Sequence, residues 1–589
     1  MQTATTIDRR TFLSGLTGSL VAGAAETPAA EKVPSSEPPC WLDVAAPFIA
    51  VDPAQSLSTS LLLTATCFAG ADGFRKPQDS TDYQILLYDH TGREIPLDNA
   101  GKFAVPAMRP TLIDLKERSG RDSFFGGAKV RVAPSPGQMP RAGDLFSAGF
   151  VRWDLPSNFD NIHAHPAAPQ QAIGRFNYSM PFPALGEYHC AFALFNPSDA
   201  ESFGAVRVAN RMGQTVAQRK YLLAPHQTML FTMQDLRPAD SPGEAFALAP
   251  LSEPKLKDGG VLVVRNDSDR VAFAYTIIKG RTGNSFTAEH PLHFQADVPV
   301  KPARATPYGP KRSFPAQALV YTPMLFRNLQ IGGLQLDSRV YLSASRWAEE
   351  ALWMLPFATT GEGAIAWVSN RDDRFADCIT PPALAVDGAI RLTEFQSCRI
   401  DANALPLPDG FAGGFGAAAI PKTSHSLNKV EVRAVNWGRV AFTHFRPGGA
   451  VAKSYRQVEN RGGLASDYIV SGAHIIGTRV NPKRDCLLAI MNIEFEDDNS
   501  GAPLLQLFGP AGLVGEKRLA DFPPLACRHL LLSELFPGAQ SDPAHPFTVR
   551  MMVQNALTIV SALHIDYDRR DIALEHGSDR HSTFQDFRC

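Results

Sequence analysis

Apolar positions along this chain fall in short runs of roughly five to eight residues, closed by Gly, Pro, Asn or Asp and recurring about every ten residues. Runs of that length and spacing predict β-strands joined by turns, whereas a parallel α/β plan needs helices of about 10–15 residues between its strands. The nearest approach to a long helix is Ala344 to Leu355, ASRWAEEALWML, and even this segment suits a strand.

The pattern repeats. Gly213 to Pro238 lies without a gap over Gly512 to Pro537, an offset of 299, matching Gly213 with Gly512, Pro225 with Pro524, Leu236 with Leu535 and Pro238 with Pro537. The shared grammar is a Gly turn, a strand, a Pro-marked bend, an apolar strand and a one-turn stop. LIDL at Leu112–Leu115 and CRIDANALP from Cys398 are weaker copies. Apolar segments ending in Asn recur from Cys190, Ala364 and Cys486, and Arg-Val-Ala-Phe recurs at 270–273 and 439–442.

A period of this kind predicts an all-β chain of about four tandem β-sandwich modules, with an accessory segment between the second and third. The expected bounds are 46–166, 180–294, 361–450 and 466–589, the last with a packed C-terminal tail that includes Phe584 and Phe587. Residues 295–360 are expected to hold accessory strands or a linker. In outline the modules resemble immunoglobulin-like sandwiches, without that family's Cys, Trp and Cys spacing. A single large sandwich or a propeller is the alternative arrangement.

Charge and the N-terminus change the picture next. Lys plus Arg number 57 against 59 Asp plus Glu, so no long-range field holds a polyanion and nucleic acid is not an expected partner. Arg9-Arg10-Thr11-Phe12-Leu13 precedes a mild apolar run and the small residues Ala22-Gly23-Ala24. This segment resembles a twin-arginine export signal, which implies a signal peptide over 1–24, the export machinery as a partner, and a periplasmic or secreted product. Residues 25–45 read as a flexible leader. No later run reaches about 18 apolar residues without charge, so no membrane-spanning helix is expected in the mature chain.

No nucleophile elbow, His-Glu-x-x-His, Cys-x-x-Cys, phosphate loop or dinucleotide fingerprint occurs. The candidate chemistry lies in histidines that follow closing strands: His163 and His165, His290, and His576 with His581. Such positions suit a zinc or copper site, or a polar strand end at a module junction. Eight cysteines in an exported chain permit disulfides, with Cys378–Cys398 and Cys486–Cys527 as candidate pairs. No cofactor is expected beyond a candidate metal ion. The function read from these features is an exported, non-enzymatic modular protein for binding, adhesion or scaffolding, with a protein or carbohydrate ligand. The alternative is a periplasmic metal-dependent enzyme or electron-transfer protein that uses the junction histidines.

Overall fold

The computed structural model describes residues 42–580, apart from loop segments of which the longest are 133–149, 240–255, 296–305, 368–384 and 446–469. Seven strands recur in one order in each of four modules. The first has β1 (Leu42–Asp52), β2 (Leu57–Leu63), β3 (Ser80–Asp89), β4 (Thr111–Asp114), β5 (Phe124–Val132), β6 (Phe150–Leu155) and β7 (Asn158–His163). The second has β8 (Phe176–Phe182), β9 (Tyr188–Phe195), β10 (Ser202–Asn210), β11 (Thr228–Thr232), β12 (Gly260–Asn266), β13 (Phe273–Gly280) and β14 (Phe286–Glu289). The third has β15 (Ala318–Arg327), β16 (Leu334–Ala344), β17 (Leu352–Thr359), β18 (Ser397–Asp401), β19 (Phe411–Ala419), β20 (Ser426–Ala434) and β21 (Arg439–Phe445). The fourth has β22 (Val470–Thr478), β23 (Arg484–Asn492), β24 (Leu504–Gly509), β25 (Cys527–Leu531), β26 (Phe547–Gln554), β27 (Thr558–Asp566) and β28 (Asp571–His576).

Within each module the third, fifth and first strands pair antiparallel in one layer, and the fourth, second, sixth and seventh in the other; in the first module β1 also pairs with β2 at Val51–Ser58 and Asp52–Leu57, so its two layers are continuous. The two sheets close on an apolar core. In the second module Phe182, Phe192 and Phe231 are fully buried together, each worth about 1.5–3 kcal/mol over exposure. In the second, third and fourth modules the strand order departs from the immunoglobulin one, where the first strand shares a sheet with the second; in these modules it joins the sheet of the third and fifth.

The third module is framed differently from the sequence expectation. Its first strand begins at Ala318, so 318–359 supplies β15, β16 and β17 to its sheets, and only the short hairpin Thr306–Tyr308 with Arg312–Phe314 lies ahead of it. The Asn-ended segment from Ala364 is not an opening strand: Ile365–Trp367 pairs as a hairpin with β17. The two Arg-Val-Ala-Phe copies are likewise not equivalent, since 439–442 starts a seventh strand, whereas Phe273 of 270–273 starts a sixth. Leu352 to Leu355 is strand.

The second strands explain why their sequences are apolar without alternation. On β23, Cys486, Leu488 and Ile490 face their own sandwich, whereas Leu487 and Ala489 pack into the core of the third module. Ala191 and Ala193 of β9 pack on the first module in the same way, and Tyr341 of β16 packs on the second. Leu62 of β2 packs against Ile476 of β22, which joins the fourth module to the first. A strand buried on both faces carries apolar residues throughout. The modules therefore close head to tail into a ring, the outcome of a repeated heterologous interface whose rotation closes.

Each joint has the same local device. Turns at 106–109, 224–227, 393–396 and 523–526 carry a hydrogen bond from the fourth residue to the first, with Arg109, Gln227, Gln396 and Ala526 donating. Their third residues, Met108, His226, Phe395 and Leu525, all have φ of 58° or 59°. This is the type II turn, with Pro225 and Pro524 at the position that favours proline. The left-handed residue serves as a plug: His226 stacks on Tyr88 of the first module at 4.1 Å, and Phe395 packs on Val261 and Val263 of the second. A hairpin of the preceding module covers the turns of the second, third and fourth modules. The amide nitrogens of Thr228, Ser397 and Cys527 donate to the carbonyls of His90, Arg211 and Thr360. The Gly213/Gly512 repeat thus marks hairpins that dock on the next module.

Candidate functional site

Two places in the ring bear on the candidate residues. The first is its axis, where β7 lies against β14, β14 against β21, β21 against β28, and β28 against β7. Register makes these four seventh strands comparable residue by residue. The third residue after each type II turn is Leu112, Leu230, Arg399 or His529, and it pairs with Leu62, Ala193, Tyr341 or Ala489 of the second strand. Those residues pair with Phe150, Tyr275, Lys429 and Ser561 of the sixth strand. Phe150, Lys429 and Ser561 in turn pair with His163, His444 and His576. In the second module the last described pair is Thr276 with Glu289, and His290, the next residue in sequence, lies outside the described residues.

Three of these histidines were singled out from the sequence as strand-end residues; His444 was missed because no second histidine stands near it in the chain. His165 falls in the two-residue strand His165–Pro166 and pairs with Ala45, off the axial row. His581 and the tail beyond it, with Phe584 and Phe587, lie outside the described residues, as do Arg9, Arg10, Phe12 and Leu13. Among the described residues, no three His, Cys, Asp or Glu side chains converge as a metal site requires.

The second place is the junction between modules two and three. Glu431 of β20 is fully buried and accepts hydrogen bonds from the hydroxyls of Tyr188 at 2.8 Å and Tyr341 at 2.9 Å. Burial first, then the Glu431 charge, pushes both tyrosines far above the ordinary phenol range, so both stay protonated and donate to Glu431. The Arg433 guanidinium lies 3.2 Å from Glu431 and 3.2 Å from Glu187, and Arg339 lies 3.0 Å from Glu187 and 3.3 Å from Asp401. Burial alone would lower Arg339, but Glu431, Glu187 and Asp401 outweigh it and hold the guanidinium above its usual range. Beside this network opens a cleft of about 180 Å³ lined by Ser338, Arg339, Asp401, Asn403 and Arg433 among others. Sequence reading missed it because Tyr188, Tyr341 and Glu431 are far apart in the chain and none sits in a local motif.

Of the expected disulfides, Cys486–Cys527 does not form. Both thiols are free and buried, and the register sets Cys527 opposite Met491 while Cys486 stands opposite His564. Five residues along a strand is about 16 Å, against a limit of about 7 Å between bridged Cα atoms. Cys398 is also free and buried, its thiol pushed up to about 12 by burial; Cys378 lies outside the described residues. At the joint of modules three and four, His529 Nε2 donates to the Pro323 carbonyl at 2.7 Å, and burial lowers the ring to about 4, which keeps it neutral.

No family model matches the sequence, and no curated protein matches it. Among solved structures, a glycosyl hydrolase family 2 member from Bacteroides cellulosilyticus is similar at 10% identity and a TM-score of 0.12, over 45% of this chain and 29% of that one. A likeness at that score carries no argument. On its own architecture the chain is a modular all-β protein of four sandwiches closed into a ring.

Proposed function

We propose that this protein is exported and non-enzymatic, and that its ring is a rigid scaffold for binding a polar ligand, a carbohydrate or a protein segment, outside the cytoplasm. The observation that carries the reading is the cleft beside the Glu431 network. Its lining offers guanidinium and amide donors from Arg339, Arg433 and Asn403 together with hydroxyl and carboxyl acceptors from Ser338 and Asp401. Two arginines are pinned from behind by Glu187 and Glu431, so little side-chain freedom is lost on binding. The volume is below the roughly 300 Å³ of a drug-sized pocket and suits one ring-sized polar group. Export rests on the Arg9-Arg10-Thr11-Phe12-Leu13 signal.

Calorimetry of the full chain against a panel of soluble oligosaccharides and acidic peptides should find a ligand whose affinity drops tenfold or more in Asn403→Ala, an exposed position that leaves the fold intact. A panel negative throughout would overturn the ligand reading. Replacing Arg9 and Arg10 together by lysine should hold the precursor in the cytoplasm, and unimpaired export would overturn that part.

A further inference from the structure

The hairpins that cover the joint turns each offer one carbonyl to the next module, from His90, Arg211 and Thr360. Two of these residues settle their side chains within their own module: the His90 ring stacks on Phe125 at 4.7 Å, and the Thr360 hydroxyl accepts from the Glu362 amide at 3.3 Å. Arg211 does not. It is 7% exposed, its Nη2 is buried without a hydrogen-bond partner, and it forms no ion pair among the described residues. Arginine is almost never buried unless paired, because its guanidinium stays charged. Burial holds the Arg211 guanidinium below its usual range, like-charged Arg399 adds to this, and the Asp258 carboxylate opposes it less strongly.

Arg399 stands two residues beyond Ser397, whose amide donates to the Arg211 carbonyl, so β18 turns Ser397 and Arg399 to the same face. The Arg399 Nε is also buried and unpartnered, although its Nη2 lies 3.2 Å from Asp401. Docking of one module on the next requires neither cation. The joint of modules one and two closes with His90 and Leu230 at these positions, and that of modules three and four with Thr360 and the neutral His529.

We infer that Arg211 and Arg399 together bind a small oxyanion at the joint of modules two and three. A guanidinium presents its N–H donors in a planar fork that matches the oxygens of carboxylate, phosphate or sulfate, and one such group meets donors that the protein leaves unmatched. Arg399 keeps 23% of its side chain exposed, so the pair is reached from solvent. An ion held there ties the covering hairpin of module two to β18 of module three. Neither arginine lines the cleft beside Glu431, so this site is independent of the ligand reading above.

The test uses the full chain in low-salt buffer, titrated by calorimetry with inorganic phosphate, sulfate and acetate, whose shapes distinguish a tetrahedral from a planar oxyanion. One ion per chain is expected for at least one of the three, with a raised unfolding midpoint. Arg211→Met and Arg399→Met should each weaken binding at least tenfold, while Arg121→Met, at an exposed arginine of the first module, should leave it unchanged. Without added ion, Arg211→Met should melt no lower than the wild type, because methionine keeps the apolar stem and removes the unmatched charge. No saturable binding, or binding undiminished in Arg211→Met, would overturn the site. An Arg211→Met protein that melts well below the wild type without ion, or does not fold, would overturn it too, since the protein itself would then satisfy Arg211.

Discussion

Replacing Glu431 by alanine should lower the unfolding free energy by about 3–5 kcal/mol, the usual cost of breaking a buried charged network from one side. The carboxyl group is fully buried and accepts from two tyrosine hydroxyls that cannot ionise to adapt. Its loss takes the acceptor from both hydroxyls and one of the two counter-charges that lie 3.2 Å from Arg433. Glu431→Gln keeps the volume and one acceptor oxygen, and should cost clearly less than the alanine. Urea unfolding of the three proteins measures both differences. A loss below about 1 kcal/mol for the alanine variant would mean that the network contributes no more than a surface ion pair.

The second large effect is expected at a joint. Gly363 has φ of +76°, and a Cβ built on it would stand 2.3 Å from the Pro524 carbonyl oxygen of the next module. Valine there meets left-handed strain of about 1–2 kcal/mol and must also push the two modules apart, at about 1–3 kcal/mol more. Gly410 supplies the comparison, since its φ is +78° but nothing lies within 4 Å of the added Cβ. Gly410→Val should therefore show the backbone strain alone. Equal losses at the two sites, measured by thermal and urea unfolding, would mean that the hairpin does not bear on the turn.

The fold class was legible because apolar runs and turn residues carry strand length directly. The offset of 299 was legible for a deeper reason: Gly213 and Gly512 both sit in hairpins, and Pro225 and Pro524 both sit at the second position of the joint turns, where backbone geometry restricts the choice of residue. The framing of the third module was not legible. Ile365–Trp367 is apolar and runs toward Asn370 like a second strand, and only its pairing with β17 shows that it is a hairpin arm. The ring itself was written in the unbroken apolar runs of β9 and β23, which alternate between two different cores. That signal names a strand buried on both faces without saying what lies on the second. Glu431 reads in the sequence as the outward residue of an alternating strand, and only the neighbouring module makes that face an interior.

The ring closure of module four onto module one is the claim on which the rest depends, because it brings the four seventh strands to one axis. Leu513, beside Gly512, is exposed, and Arg109 on the type II turn of the first module reaches to 3.8 Å from a Cβ placed on Gly512. The measurement is cross-linking of a Leu513→Cys, Arg109→Cys double variant with a short bis-maleimide, followed by gel mobility and peptide mapping. The account predicts an intramolecular link between these two positions that neither single variant forms. A double variant that links no more than the singles would show an open chain of modules and contradict the ring.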